Sequence, residues 1–121
     1  MVVLGGVHHI SLNVRDAAEA CRFYVDVLGL TEIPRPDLGF PGHWLRTPDD
    51  REIHLLEVED WVAPKGQHFA FRVDDLDTAR AELGRAGVKV SDPIQVPDGG
   101  RQSFLRDPAG NLIELNEPRG R

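Results

Sequence analysis

The sequence lacks several features that mark specialised classes of protein. It contains one cysteine in 121 residues, so no intrachain disulfide can form and nothing requires an oxidising compartment. No apolar run approaches the roughly 20 residues that a membrane-spanning helix needs. The N-terminal stretch MVVLGGVHHI has no basic start of the kind that a signal peptide carries. We therefore expect a cytoplasmic protein.

Basic residues are outnumbered by acidic residues, 14 to 20. The formal net charge is −6, only two of the 14 basic residues are lysines, and these residues are scattered along the chain. Nucleic-acid binding usually needs a clustered basic face, so we expect no nucleic-acid partner. The hydrophobic fraction of 40% and the charged fraction of 28% are typical of a globular protein, and the length fits one domain over residues 1–121. A small molecule is the expected ligand.

An internal repeat organises the chain. The segment HISLNVRDAAEA, which begins at His9, matches HFAFRVDDLDTA, which begins at His68, at an offset of 59. The segment WLRTPDDREIHLLE, which begins at Trp44, matches FLRDPAGNLIELNE, which begins at Phe104, at an offset of 60 with six identities. Two matches at nearly the same offset indicate two copies of one structural unit.

Each copy predicts the element order β-α-β-β-β. An alternating strand is followed by an N-cap aspartate, Asp16 or Asp75, and by a helix that ends at Gly29 or Gly87. Segments punctuated by Pro and Gly then predict three short strands. Two such units give an α+β fold with helices on one face of curved mixed sheets. The predicted modules cover about 7–58 and 67–117, and the linker covers about 61–66.

The repeat aligns His9 with His68, and His54 with Glu114. Each residue lies within a predicted strand, and alternation directs it away from the large apolar side chains that we expect under the helices. Imidazole and carboxylate groups are ligands of Zn, Fe, Mn, Ni and Co. A charged Glu114 on a concave face is costly unless it is paired or metal-bound. These four residues therefore predict a divalent metal site, and ordinary polar strand residues are the alternative.

Two carboxylates are candidate catalytic residues, Glu114 and Glu52. Glu52 shares the face of His54 and is a candidate base, with a solvated charge at the strand end as the alternative. Arg72 shares the face of His68, where it meets either an anionic substrate or a surface carboxylate.

Two aromatic residues and two further histidines complete the set. Trp44 and Phe104 occupy equivalent strand positions, and they line either the substrate site or the core. His8 and His43 have no histidine counterpart in the other copy, so we assign both to structure or surface.

The segments HISLNVRD, FYVDVLGL, IHLLE, HFAFRVDDLD and FLRDPAGNLIEL together resemble the vicinal oxygen chelate superfamily. That superfamily includes glyoxalase I, bleomycin- and fosfomycin-resistance proteins, methylmalonyl-CoA epimerase and extradiol dioxygenases. The resemblance implies paired βαβββ modules that form a metal cup with His9, His68 and Glu114 as ligands. His54 stands where glyoxalase-like members have a fourth ligand, Glu or Gln. A homodimer is also implied, with His9 from one chain and His68 and Glu114 from the other in each of two sites.

The resemblance leaves three functions open. The first is a metal-dependent lyase, isomerase or thiol transferase that acts on a small oxygenated metabolite or antibiotic by Lewis-acid chemistry. The second is a metal-free drug-binding protein of the bleomycin-resistance kind. The third is a small Fe(II) dioxygenase, although extradiol dioxygenases usually have four modules and this chain has two modules and one tyrosine. The retained ligand residues favour an enzyme.

Overall fold

A computed structural model describes residues 1–120 of the chain. The chain divides into two compact units between Val62 and Ala63. Each unit contains a four-stranded mixed sheet and a helix. This architecture confirms the α+β fold that the repeat predicts. Within residues 1–120, no helical segment has the length and apolar composition that crossing a bilayer demands.

The first unit has the predicted element order. The elements are β1 (His9–Val14), α1 (Ala17–Arg22) with a π-helical continuation (Phe23–Val27), β2 (Thr31–Ile33), β3 (Gly42–Arg46) and β4 (Glu52–Glu57). The sheet order is β1-β4-β3-β2, in which β1 and β4 are parallel and the other pairs are antiparallel.

The second unit repeats this order. The elements are β5 (His68–Arg72), α2 (Leu76–Arg85), β6 (Ile94–Gln95), β7 (Arg101–Arg106) and β8 (Leu112–Glu117). The sheet order is β5-β8-β7-β6, again with one parallel pair, β5 with β8.

Aspartate N-caps start both helices, as the sequence predicts. The Asp16 carboxylate accepts a hydrogen bond from the backbone N–H of Glu19 at 3.0 Å, and Asp75 accepts one from Thr78 at 3.0 Å. Each cap residue has extended backbone angles, so its side chain can reach the open N–H groups of the first helical turn.

A second carboxylate supports each helix start, and the repeat explains its identity. Glu57 accepts a hydrogen bond from the backbone N–H of Ala17 at 3.0 Å, and Glu117 accepts one from Leu76 at 2.8 Å. The two glutamates stand 60 residues apart at the ends of β4 and β8. They therefore tie the last strand of each unit to its helix and satisfy N–H groups that have no partner within the helix.

The first helix departs from the sequence prediction. The sequence predicts one helix running toward Leu28 that buries Phe23 and Val27, with Tyr24 and Leu28 as further buried candidates, but the regular α-helix ends at Arg22. A bond from the Leu28 N–H to the Phe23 carbonyl at 3.1 Å closes a wider π turn. This turn changes the helical phase, so Tyr24 is fully buried while Phe23 and Val27 are half-buried.

Each sheet has one face that packs on the helix and one that carries the candidate ligands. Ile53 and Leu55 of β4 are buried on the helix face of the first sheet, and Ile113 and Leu115 of β8 are buried in the second unit. Alternation places His54 and Glu114 on the opposite face of their strands. We call that opposite face the ligand face.

Candidate metal centre

In the second unit, His68 and Glu114 form a close pair on neighbouring parallel strands. The Nε2 atom of His68 lies 3.1 Å from Oε1 of Glu114. The side chain of Glu114 is 11% exposed, whereas that of His68 is 36% exposed. A carboxylate this deeply buried needs partners that offset the loss of hydration, and here one oxygen accepts a hydrogen bond from Asn116 while the other faces His68.

The neighbours of this pair fix its donor and acceptor atoms. Nδ1 of His68 lies 2.9 Å from the carbonyl oxygen of Gly66, which can only accept, so Nδ1 carries a proton. In the neutral ring, the lone pair is then on Nε2, the atom that faces Glu114. The amide nitrogen of Asn116 donates to the other carboxylate oxygen of Glu114 at 2.8 Å. Such outer hydrogen bonds orient metal ligands in known sites.

The spacing of this pair fits a metal ion. Two ligands at right angles on one metal, each about 2.1 Å from it, lie about 3.0 Å apart. The observed separation of the His68 and Glu114 atoms is 3.1 Å. The imidazole nitrogen and the carboxylate oxygen are therefore suited to share a divalent cation as well as a proton.

Phe104 and Arg72 flank the pair. Phe104 is the strand partner of Glu114 and contacts the His68 ring edge-to-face at a centroid distance of 5.4 Å. Arg72 lies on the same strand as His68, four residues further on, and is exposed. Alternation gives both of these β5 side chains the same face.

In the first unit, the equivalent positions hold a stack of rings. His9 and His54 stack at a centroid distance of 4.1 Å and an interplanar angle of 15°. Trp44 stacks on His54 at 4.3 Å and 8°. The rings are nearly parallel, so the imidazoles of His9 and His54 do not point toward a common atom. The first unit therefore differs from the second, where the histidine meets a carboxylate.

Glu52 is hydrogen-bonded to this stack. Its Oε1 atom lies 2.9 Å from Nε2 of His54. That hydrogen bond holds the pKa of Glu52 below its ordinary value, and the nearby His8 reinforces the effect. A carboxylate with a lowered pKa is ionised at neutral pH but is a weaker base. Because the Nε2–H group of His54 donates this hydrogen bond to the Glu52 carboxylate, the lone pair of neutral His54 is on Nδ1, which is the ring atom left for a metal.

His9 has a neighbour of its own. Its Nδ1 atom lies 2.9 Å from Nδ1 of His8, so one ring donates and the other accepts. His8 therefore contacts a candidate ligand, although strand alternation predicts that the side chains of adjacent residues point to opposite faces.

A cluster on the helix face is absent from the sequence predictions. Cys21, Glu32 and His43 bring their ligand atoms within 4.8 Å of one another, and they form the one group of three such residues among residues 1–120 that meets this limit within a unit. The sequence predicts only a structural or surface role for His43. A partial signal lies in strand parity, because His43 and Leu45 share the face opposite Trp44.

Comparison with known proteins identifies the family. Residues 6–115 match the model of the Glyoxalase/Bleomycin resistance protein/Dioxygenase superfamily. The chain belongs to this superfamily. The match covers most of the chain, and it confirms the resemblance carried by the repeat motifs.

Several known proteins are similar to this chain along most of its length. Glyoxylase I 4 from Arabidopsis thaliana is 32% identical, over 93% of this chain and 70% of that protein. The crystal structure of a glyoxalase family protein from Bacillus anthracis has a TM-score of 0.85 at 29% identity, covering 96% of this chain and 97% of that one. TnmS3, an antibiotic-binding protein from Streptomyces sp. CB03234, has a TM-score of 0.80 at 31% identity, covering 98% and 99%.

Proposed function

We propose that this superfamily member is a metal-dependent enzyme that acts on a small oxygenated metabolite or antibiotic. The observation that carries the proposal is the His68–Glu114 pair, in which Nε2 of His68 lies 3.1 Å from Oε1 of Glu114. The other ring nitrogen of His68 is hydrogen-bonded to Gly66, and the other carboxylate oxygen of Glu114 is hydrogen-bonded to Asn116. Such a pair suits a cation of the Zn, Fe, Mn, Ni or Co class. His9 and, with a different ring orientation, His54 are the further ligands that we propose.

The proposed reaction is of the lyase, isomerase or thiol-transferase type. A bound divalent cation supplies Lewis-acid stabilisation of negative charge that develops on a substrate oxygen. The hydrogen bonds from Asn116 and to Gly66 keep Glu114 and His68 in a ligating orientation. Phe104 excludes water beside the His68 ring, and Arg72 binds an anionic group of the substrate.

We also propose that the enzyme is a homodimer in which each site takes His9 from one chain and His68 and Glu114 from the other. In support, each unit by itself supplies only part of a ligand set: two stacked imidazoles in the first, and one imidazole with one carboxylate in the second. A metal site that keeps an open position for substrate needs about three protein ligands.

The experiment that tests the proposal is reconstitution. Chelator-treated protein is loaded in turn with Zn²⁺, Ni²⁺, Co²⁺, Mn²⁺ and, anaerobically, Fe²⁺, and is assayed on small α-oxo compounds and epoxides with and without a thiol. Turnover that requires metal and is lost in Glu114→Gln supports the proposal. Turnover that persists without metal, or in Glu114→Gln, contradicts it. If only the Fe²⁺ form consumes oxygen, the result indicates dioxygenase chemistry and contradicts the proposed Lewis-acid chemistry.

A second candidate function is metal-free binding of an aromatic drug. The parallel stack of His9, His54 and Trp44 favours it, because flat rings bind planar aromatic molecules by stacking. The similarity to TnmS3, described as an antibiotic-binding protein, points the same way. Calorimetric titration of chelator-treated protein with planar aromatic antibiotics tests this function. Tight binding that is lost in Trp44→Ala, together with no metal binding, establishes it over the enzyme.

A further inference from the structure

A mixed cluster of ligand residues lies on the helix face of the first sheet. Cys21 comes from α1, Glu32 from β2 and His43 from β3, and their ligand atoms all lie within 4.8 Å of one another. Cys21 is buried, His43 is half-buried and Glu32 is exposed. Three separate elements therefore bring together the sulfur of Cys21, an imidazole nitrogen of His43 and a carboxylate oxygen of Glu32.

The carboxylate of Glu32 links the other two members. Its Oε2 atom lies 2.6 Å from Nδ1 of His43, and Glu32 also accepts a hydrogen bond from the Cys21 thiol. Burial, reinforced by the negative charge of Glu32, raises the pKa of the Cys21 thiol to about 11. The free thiol is therefore protonated at neutral pH and is a poor nucleophile, which argues against a catalytic or redox cysteine.

We propose that Cys21, Glu32 and His43 form a second metal site, specific for a divalent cation of the zinc class. Thiolate, imidazole and carboxylate are the three side-chain ligands that Zn²⁺ takes in proteins. The thiolate selects against hard cations such as Mg²⁺ and Ca²⁺, which prefer all-oxygen ligands. A bound cation also supplies the positive charge that a thiolate needs at this buried position beside the Glu32 carboxylate.

The cluster needs only a small rearrangement to hold the ion. Tetrahedral ligands of Zn²⁺ lie about 3.3–3.7 Å apart, so the 2.6 Å contact between His43 and Glu32 must open by about 0.7 Å. Glu32 can make this movement because its side chain is 50% exposed and β2 is an edge strand. On binding, the thiol proton leaves to solvent, and the ring proton of neutral His43 moves to Nε2.

Space for a fourth ligand adjoins the cluster. A pocket of about 300 Å³ is lined by all three ligand residues and by Arg22 and Asp26. A water molecule, or a small anion that Arg22 attracts, fits this volume beside the ion. Three protein ligands with one open position are the pattern of zinc sites that exchange a ligand.

The second site is distinct from the proposed metal centre. His43 and Trp44 are neighbours on β3, so their side chains point to opposite faces of the sheet. The position equivalent to His43 in the second unit is Ser103, which is fully buried, so the repeat does not duplicate this ligand.

Cobalt titration tests the proposal, because Cys21 is the only cysteine in the chain. The protein carries His68→Ala to weaken the other site, is reduced and metal-free, and is titrated with Co²⁺. We expect a thiolate-to-cobalt charge-transfer band in the near ultraviolet that saturates at one Co²⁺ per chain, and displacement of the Co²⁺ by Zn²⁺. We expect no such band in Cys21→Ser.

The other two ligands are tested in the same way. His43→Gln and Glu32→Gln should each weaken Co²⁺ binding at least tenfold, while Glu59→Gln, an exposed carboxylate in the same unit, should leave it unchanged. Circular dichroism checks that each variant is folded. The proposal is overturned if the folded protein gives no thiolate band, or if the band titrates identically in His43→Gln and Glu32→Gln, which indicates binding by the thiol alone.

Discussion

Nε2 of His68 and Oε1 of Glu114 face each other at 3.1 Å, with the remaining polar atom of each side chain already engaged by Gly66 or Asn116. The proton on Nδ1 leaves the lone pair of the neutral ring directed at a carboxylate oxygen. Two electron-rich atoms at this distance need a proton or a cation between them. This geometry is the basis of the proposed metal centre.

Mixing two inactive variants tests the shared site. If each site joins His9 of one chain to His68 of the other, a dimer of His9→Ala with His68→Ala contains one intact site. After mixed unfolding and refolding at equal amounts, about a quarter of all sites should be restored. Metal binding and turnover both measure the recovery. No recovery in a mixture shown by mass spectrometry to contain heterodimers would place the whole site within one chain.

Removing the imidazole of His54 should change the titration of Glu52. The hydrogen bond from His54 lowers the Glu52 pKa, so His54→Ala should raise that pKa toward its ordinary value. In wild type, the stabilisation from this hydrogen bond is present above the unfolded-state pKa of Glu52 and is lost as the pH falls through the lowered folded-state pKa. Carboxyl carbon NMR on metal-free protein measures both titrations. An unchanged Glu52 pKa in His54→Ala would refute the hydrogen bond.

Cys21 should make the metal-free protein sensitive to alkali. Its folded-state pKa of about 11 lies above the ordinary value of 9.0, so the folded state retains the thiol proton more strongly than the unfolded state does. Stability from this source is complete below pH 9 and falls as the pH rises from about 9 to 11. The free energy of unfolding of wild type, minus that of Cys21→Ser, should decrease across this range in urea titrations. A difference independent of pH would show that the thiol is not shifted.

The carboxylates that end β4 and β8 should contribute to stability without affecting metal binding. Glu57→Ala and Glu117→Ala each leave a helix N–H, of Ala17 or Leu76, without its acceptor. We expect Glu57→Ala to lower the free energy of unfolding by about 1 kcal/mol. We expect a larger loss in Glu117→Ala, because Glu117 also accepts two hydrogen bonds from Arg101. Glu59→Ala, at an exposed position, is the control and should change it by less than about 0.5 kcal/mol. Equal effects at Glu57 and Glu59 would contradict the capping role.

Much of the fold is predictable because the sequence contains two copies of the same structural unit. The offset of about 60 residues identifies the two units, and the capping residues Asp16 and Asp75 fix both helix starts. Strand alternation also assigns His54 and Glu114 to the face opposite the buried Ile53 and its counterparts. These features depend on local periodicity, which a sequence carries directly.

Features that depend on packing are not predictable in this way. Residue periodicity carries no sign of the π turn that follows Arg22. The stack of His54 between His9 and Trp44 depends on side-chain rotation across three strands. The cluster around Cys21 joins three separate elements, so no spacing rule could have assembled it.

The most direct test of the central claim is the metal content of untagged protein, measured by mass spectrometry. The Cys21→Ser protein is the reference, because only the proposed centre of His68 and Glu114 is then intact. We predict close to one transition-metal ion per chain, less than about a tenth of that in His68→Ala or Glu114→Gln, and a smaller loss in His54→Ala. An unchanged metal content in His68→Ala and Glu114→Gln, or no metal bound by the reference even after titration, would contradict the account.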